Sequence, residues 1–161
     1  MVYGPKGLVE KVKSLFIYYY PDTNFEDAVR DSRIELVEFD TLDNRRIEGD
    51  YFINAFSVIH AKTLAYGYSI EKGGKVVVCS GDAAVCDGVK KALETADLAI
   101  LDMSLEKGME SHMGIDNILD IADKYKKPII ATHMRDKTRE SAMKLGVGNL
   151  FVLDDGATLS I

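Results

Sequence analysis

The sequence predicts an α/β fold built on a mixed sheet with helices packed against it. Two observations carry this expectation. In the first half, β-branched and aromatic runs follow one another, and Gly73-Gly74 marks a hairpin turn between two of them. In the second half, short apolar runs alternate with stretches of helical spacing, the rhythm of crossover connections over a sheet covered by helices. A length of 161 residues falls in the single-domain range, so one domain spanning residues 1–161 is expected.

The elements follow in order. Gly4-Pro5-Lys6-Gly7 reads as a turn, and Leu8, Val9, Val12, Leu15 and Phe16 then recur at helical spacing, predicting a helix from about Pro5 to Tyr18. Residues 22–31 are polar and read as a loop or a short helix. Residues 34–39, 51–59 and 64–70 read as strands, which makes the first half mostly antiparallel sheet. Beyond Gly73-Gly74, strands are predicted at 76–79, 98–101, 129–131 and 150–153, separated by helices near 85–95, 115–125 and 139–144. After the Asp155-Gly156 turn, residues 157–161 read as a last edge strand. Tyr18-Tyr19-Tyr20 reads as a core or interface aromatic cluster rather than a platform for stacking bases.

Composition narrows the class. Hydrophobic residues make up 47% and charged residues 29%, the proportions of a soluble globular protein. No stretch approaches the roughly 20 apolar residues of a membrane helix. The N-terminus lacks the apolar core and small-residue cleavage site of a signal peptide, so a cytoplasmic location and no membrane partner are expected. A formal net charge of −6 opposes non-specific attraction to nucleic-acid phosphates. Lys90-Lys91 and Lys124-Lys126-Lys127 read as solvated helix faces rather than a basic groove. Two cysteines, Cys79 and Cys86, are too few for a disulfide framework and are expected to be free thiols.

The chemistry-bearing residues sit at strand ends. His60 follows Phe56-Ser57-Val58-Ile59, His133 follows Ile129-Ile130-Ala131-Thr132, and His112 precedes the helical stretch from Ile115. In open α/β sheets, functional side chains gather where strands give way to loops. Asp82 stands just past the apolar run Val76-Val77-Val78-Cys79, after Ser80-Gly81. It reads either as the N-cap of a helix opening at Ala83 or as a ligand. Two imidazoles and a carboxylate on separate strand ends have the N/O chemistry that Zn²⁺ accepts, and a metal-bound water can act as a nucleophile near neutral pH. Other signatures are missing. Gly4-Pro5-Lys6-Gly7 is no Walker loop, residues 76–88 lack the three-glycine dinucleotide fingerprint, and Ser57, Ser80 and Ser104 have no nucleophile-elbow context.

Five segments then stand in a familiar order. They are Ala65-Tyr66-Gly67-Tyr68-Ser69-Ile70-Glu71 after His60, Ser80-Gly81-Asp82, the run from Ala96 to Asp102, Ser111-His112, and Ala131-Thr132-His133. In this order the chain resembles the C-terminal half of metallo-β-lactamase-fold hydrolases, in particular those similar to ribonuclease Z. The resemblance implies a partial αββα sandwich lacking the N-terminal strands and the first metal-binding motif. It implies that His60, Asp82 and His133 are metal ligands, with Asp82 bridging two ions, and that His112 assists the scissile phosphate or leaving group. Asp102 stands where that branch has a glutamate supporting the catalytic histidine, and its side chain is shorter. The implied cofactor is Zn²⁺, or Mn²⁺ or Fe²⁺, held weakly by this chain alone, because no His-x-His-x-Asp-His motif occurs in it. Glu71 passes through Lys72-Gly73-Gly74 directly into the next strand, which leaves no room for the arm that bacterial-type ribonuclease Z uses to grip tRNA. A small phosphodiester or nucleotide substrate is therefore favoured over tRNA. Two other readings stay open: a catalytically silent half-domain acting through self-association, and a plain α/β small-ligand binder.

The partial sandwich has a consequence in solution. A sheet face or edge meant for a second lobe favours a homo-oligomer or a partner that supplies the missing half. Sedimentation equilibrium is expected to show species heavier than 17.8 kDa; a single 17.8 kDa species at every concentration would contradict it.

Overall fold

Val2–Pro5 is a strand, β1, where Gly4-Pro5 suggests a turn, and it lies parallel to β2 (Leu36–Phe39) with Val2 opposite Leu36. The computed structural model describes residues 1–39, 45–47 and 50–160, of 45–47 the backbone only. It divides the chain into two units, Met1–Leu42 and Asp43–Ile161.

In the first unit, a parallel pair needs a crossover, and α1 (Leu8–Tyr19) and α2 (Phe25–Asp31) provide it. Pro5 is taken up by β1, so α1 begins three residues later than its apolar spacing alone suggests. Gly7, at φ 89°, makes the bend into the helix. The Glu38 carboxylate of β2 accepts from Gly7 N at 3.1 Å and Val9 N at 2.9 Å, satisfying two amides that the first turn leaves open. The Asn24 side chain does the same for α2 by accepting from Asp27 N. Residues 34–39 thus join a parallel pair, not the antiparallel sheet expected of the first half. The core reading of Tyr18-Tyr19-Tyr20 is likewise corrected: the three rings are 78%, 68% and 59% exposed, and α1 buries no residue.

The second unit carries a seven-stranded sheet in the order β3-β4-β5-β6-β7-β8-β9. Its strands are β3 (Arg45–Ile47), β4 (Tyr51–His60), β5 (Thr63–Lys72), β6 (Lys75–Cys79), β7 (Leu98–Asp102), β8 (Ile129–Thr132) and β9 (Leu150–Val152). The first four pair antiparallel and the last four parallel, so the sheet is mixed as the sequence predicts. Gly73 and Gly74, at φ 57° and 77°, close the β5–β6 hairpin with the left-handed pair that a two-residue type I′ turn requires. Three helices make the parallel crossovers: α3 (Asp87–Thr95), α4 (Ile115–Tyr125) and α5 (Asp136–Ala142). Residues 157–160 form no strand, which corrects the predicted edge, and Ile161 lies outside the described residues. Cys79 and Cys86 are free thiols. Among the described residues, no helix is long and apolar enough to cross a membrane.

The helices bury one side of the sheet. Val78, Leu101, Ile129 and Ala131 pack there with Val89 and Leu93 of α3 and with Ile118, Ile121 and Ala122 of α4. Burying each large apolar side chain contributes roughly 1.5–3 kcal/mol. At the opposite end of β6 and β7, the Asp97 carboxylate accepts from Val76 N at 2.9 Å and faces Lys75. That amide, with Lys75 and Lys127 nearby, holds the carboxyl below the usual carboxylate range.

One contact sets how close α3 lies to β4. A Cβ on Gly88 would stand 2.0 Å from the Ser57 carbonyl oxygen, a backbone atom that cannot swing aside. Gly88→Ala is therefore expected to push α3 off β4 and to lower stability by about 1–3 kcal/mol, the usual cost of overpacking. Urea unfolding of the variant and the parent measures it, and equal midpoints would show that the helix has room to move.

Candidate metal centre

Strand direction gathers the site. β4 and β6 are each antiparallel to β5, so they run the same way, and β7 and β8 run parallel to β6. The C-terminal ends of β4, β6, β7 and β8 therefore share one edge of the sheet. His60 is the last residue of β4, Asp102 the last of β7, and His133 directly follows β8. Asp82 lies three residues beyond the end of β6. Ser80, fully buried, pins that loop: its hydroxyl donates to Gly81 O at 2.7 Å and accepts from Asp102 N at 3.1 Å. Asp82 is not a helix cap, because α3 begins only at Asp87 with Cys86 in the cap position.

His112 arrives on the loop between β7 and α4. That loop is tied at both ends, by Ile115 N to Leu105 O at 2.9 Å and by Gly114 N to the Asn117 side chain at 3.1 Å. Its middle is tied to the turn after β4, where Ala61 N donates to Glu110 O at 3.3 Å. The result sets the three imidazoles side by side, His60 and His112 with ring centroids 5.0 Å apart, His112 and His133 5.3 Å apart.

Asp102 is the buried anchor of the group, with 0% exposure. One oxygen accepts from Ala83 N at 3.0 Å and lies 2.7 Å from His112 Nδ1; the other accepts from Ser104 N at 2.8 Å and from the Ser104 hydroxyl at 2.5 Å. The shorter carboxylate thus reaches His112 after all, because the loop brings the ring to it. His133 Nδ1 lies 2.9 Å from Ser104 Oγ and 3.2 Å from Asp82 Oδ1.

The donor set fits a divalent metal. His60, Asp82 and His112 each offer a ligand atom within 4.8 Å of the others, and so do Asp102, His112 and His133. Imidazole nitrogen and carboxylate oxygen are the ligands that zinc and related ions take. All five expected residues, His60, Asp82, Asp102, His112 and His133, meet at this edge, and His112 stands at their centre, common to both groups. Ser104, dismissed in the sequence for want of a nucleophile context, lies among them, 4% exposed. Its signal was the spacing Asp102-Met103-Ser104 at a strand end, since an Asp accepting from the amide two residues on forms an Asx-turn.

A family model described as the Beta-lactamase superfamily domain matches residues 1–134. The chain belongs to that superfamily. Solved structures agree on the fold. The metallo-β-lactamase fold protein YhfI from Bacillus subtilis is 20% identical, with a TM-score of 0.67 over 94% of this chain and 61% of that one. A diphosphatase of the PhnP family is 21% identical, with a TM-score of 0.63 over 96% of this chain and 55% of that one. The short form of human tRNase Z is 18% identical, with a TM-score of 0.59 over 99% of this chain and 65% of that one. The chain thus spans less than two thirds of each of these neighbours. Among curated protein sequences, none matches it.

The backbone at His133 is strained. Its φ of 60° is left-handed, which costs a residue bearing a Cβ roughly 1–2 kcal/mol. His133→Gly is expected to be more stable than His133→Ala by about 1 kcal/mol in thermal or urea unfolding. Equal stabilities would show that the turn relaxes when the imidazole is gone.

Proposed function

We propose that this chain is the metal-binding part of a metal-dependent hydrolase of small phosphodiesters or nucleotides, in the ribonuclease Z-like branch of its superfamily. The observation that carries the reading is the convergence of three histidines and two aspartates from four strand ends on one edge of the sheet. His60, Asp82 and His133 would hold the metal, for which Zn²⁺ suits the donors and Mn²⁺ or Fe²⁺ are alternatives. When bound, such an ion polarises the ester and lowers the pKa of a water, which makes a nucleophile available near neutral pH.

The remaining residues of the chain handle the proton. Asp102, fixed by two backbone amides, holds a proton on His112 Nδ1, so any proton passed to the leaving oxygen moves at His112 Nε2. A cavity of about 500 Å³ is lined by Ile59, Ala61, Ala84, Val85, Met109 and Glu110, and His60, between the first two, does not line it. The sequence holds three histidines and no His-x-His-x-Asp-His. Further ligands would come from outside these 161 residues, on a longer polypeptide, a second copy or a different partner.

Calorimetric titration with Zn²⁺ tests the assignment. His60→Ala, Asp82→Ala and His133→Ala are each expected to weaken binding about tenfold or more, whereas His112→Ala leaves it nearly unchanged. A loss at His112→Ala as large as at His60→Ala would make His112 a ligand, the second reading that its place in both donor groups favours. Hydrolysis of bis-p-nitrophenyl phosphate by the chain alone is expected to be feeble and to vanish in Asp82→Ala. Faster turnover of a β-lactam or a thioester would overturn the substrate class, and two ions retained through dialysis would overturn the need for outside ligands.

A further inference from the structure

Counting protons around Ser104 assigns it a role. Its hydroxyl oxygen lies 2.5 Å from Asp102 Oδ1, 2.9 Å from His133 Nδ1 and 3.2 Å from His112 Nδ1. A hydroxyl has one proton to donate and two lone pairs with which to accept. Both Asp102 oxygens already accept from backbone amides, Ala83 N on one and Ser104 N on the other, so this carboxyl group acts as an acceptor. The Ser104 proton therefore goes to Asp102 Oδ1, the shortest of its three contacts, and Ser104 Oγ is left to accept.

Among the described residues, His133 Nδ1 then has only acceptors within reach: Ser104 Oγ at 2.9 Å, Asp82 Oδ1 at 3.2 Å and Asp102 Oδ1 at 3.7 Å. It must carry the ring proton. His112 Nδ1 donates to Asp102 Oδ2 at 2.7 Å by the same reasoning. We infer that Ser104 is a positioning residue that extends the hold of one buried carboxylate to a second imidazole, fixing His133 as well as His112 in the Nδ1–H tautomer with Nε2 free.

The geometry supports the chain of bonds at both ends. Asp102 is wholly buried and Ser104 4% exposed, so water does not compete for the bond between them, while the His133 side chain is half-exposed. Thr138, itself 3% exposed, donates to Ser104 O at 3.0 Å from α5 and holds the serine in place behind the site. Asp82 is the other close partner of His133 Nδ1, and in the proposed centre it would be one of the residues holding the metal. Ser104 is then the acceptor that keeps the ring oriented. The inference rests on reading this cluster as a metal centre only for its consequence; the tautomer itself is a property of the metal-free chain.

Long-range ¹H–¹⁵N spectra of the metal-free protein, recorded well above the ordinary imidazole pKa of about 6.5, read the tautomers directly. Both His112 and His133 are expected as Nδ1–H; His133 found as Nε2–H in the parent chain would overturn the inference without any variant. Because Asp82 is a second acceptor, Ser104→Ala is compared in an Asp82→Ala background. There it is expected to release His133 into a tautomer mixture while His112 stays Nδ1–H, and an unchanged His133 would overturn the role. In the otherwise native chain, Ser104→Ala is expected to weaken Zn²⁺ binding about 10- to 100-fold, and Ser104→Thr, which keeps the hydroxyl, to restore it. Folded Ser104→Thr that binds as poorly as Ser104→Ala would count against the hydroxyl. A parent chain that binds no Zn²⁺ would sink the metal-centre reading and leave the tautomer result standing.

Discussion

A carboxylate with no access to water organises this protein. Asp102 ends the interior strand β7 at 0% exposure, and a carboxylate buried there is tolerable only when its oxygens are hydrogen-bonded. Its partners come from separate stretches of chain: Ala83 from the loop after β6, Ser104 from its own turn, and His112 from the loop before α4. Satisfying one side chain therefore brings together segments that are distant in sequence. Loss of any of these donors leaves the others around an underbonded charge, which is more costly than never having buried it.

The sheet supplies the second constraint. Because β4, β6, β7 and β8 run in one direction, their C-terminal ends meet, and each delivers one or two polar side chains to the same edge. The helices pack on one face, where Val78, Leu101 and Ile129 are nearly or fully buried. The site thus sits at the rim of the sheet, between the strained turn at His133 and the loop pinned at Ser80. Rigid strands fix where the side chains start, and short loops fix where they point.

How legible this was in the sequence differs from element to element. The helix at 115–125 was read to the residue, because Ile115, Ile118, Ile121 and Ala122 recur at helical spacing on one buried stripe. The strand at β1 was missed, since four residues containing Gly and Pro carry no strand signal, and only the parallel partner β2 gives them a ladder. The start of α3 was placed too early because Asp82 looks like a cap, whereas its loop is held to Asp102 through Ser80 and Ala83, which are contacts made across strands. Residues 157–160 alternate in a strand-like way yet pair with no strand.

The sequence by itself determined the mixed α/β class, the strand ends that carry His60, Asp82, Asp102 and His133, and the order of segments that marks the superfamily. These are properties of local periodicity and of residue type along the chain, which a linear reading can see. Only the tertiary structure decided that Asp102 reaches His112, that His112 stands between the two donor groups, and that Ser104 connects Asp102 to His133. Those facts depend on ångström distances between side chains as far apart in sequence as His60 and His112. No pattern of spacing encodes them, because they are set by how loops close over a buried charge.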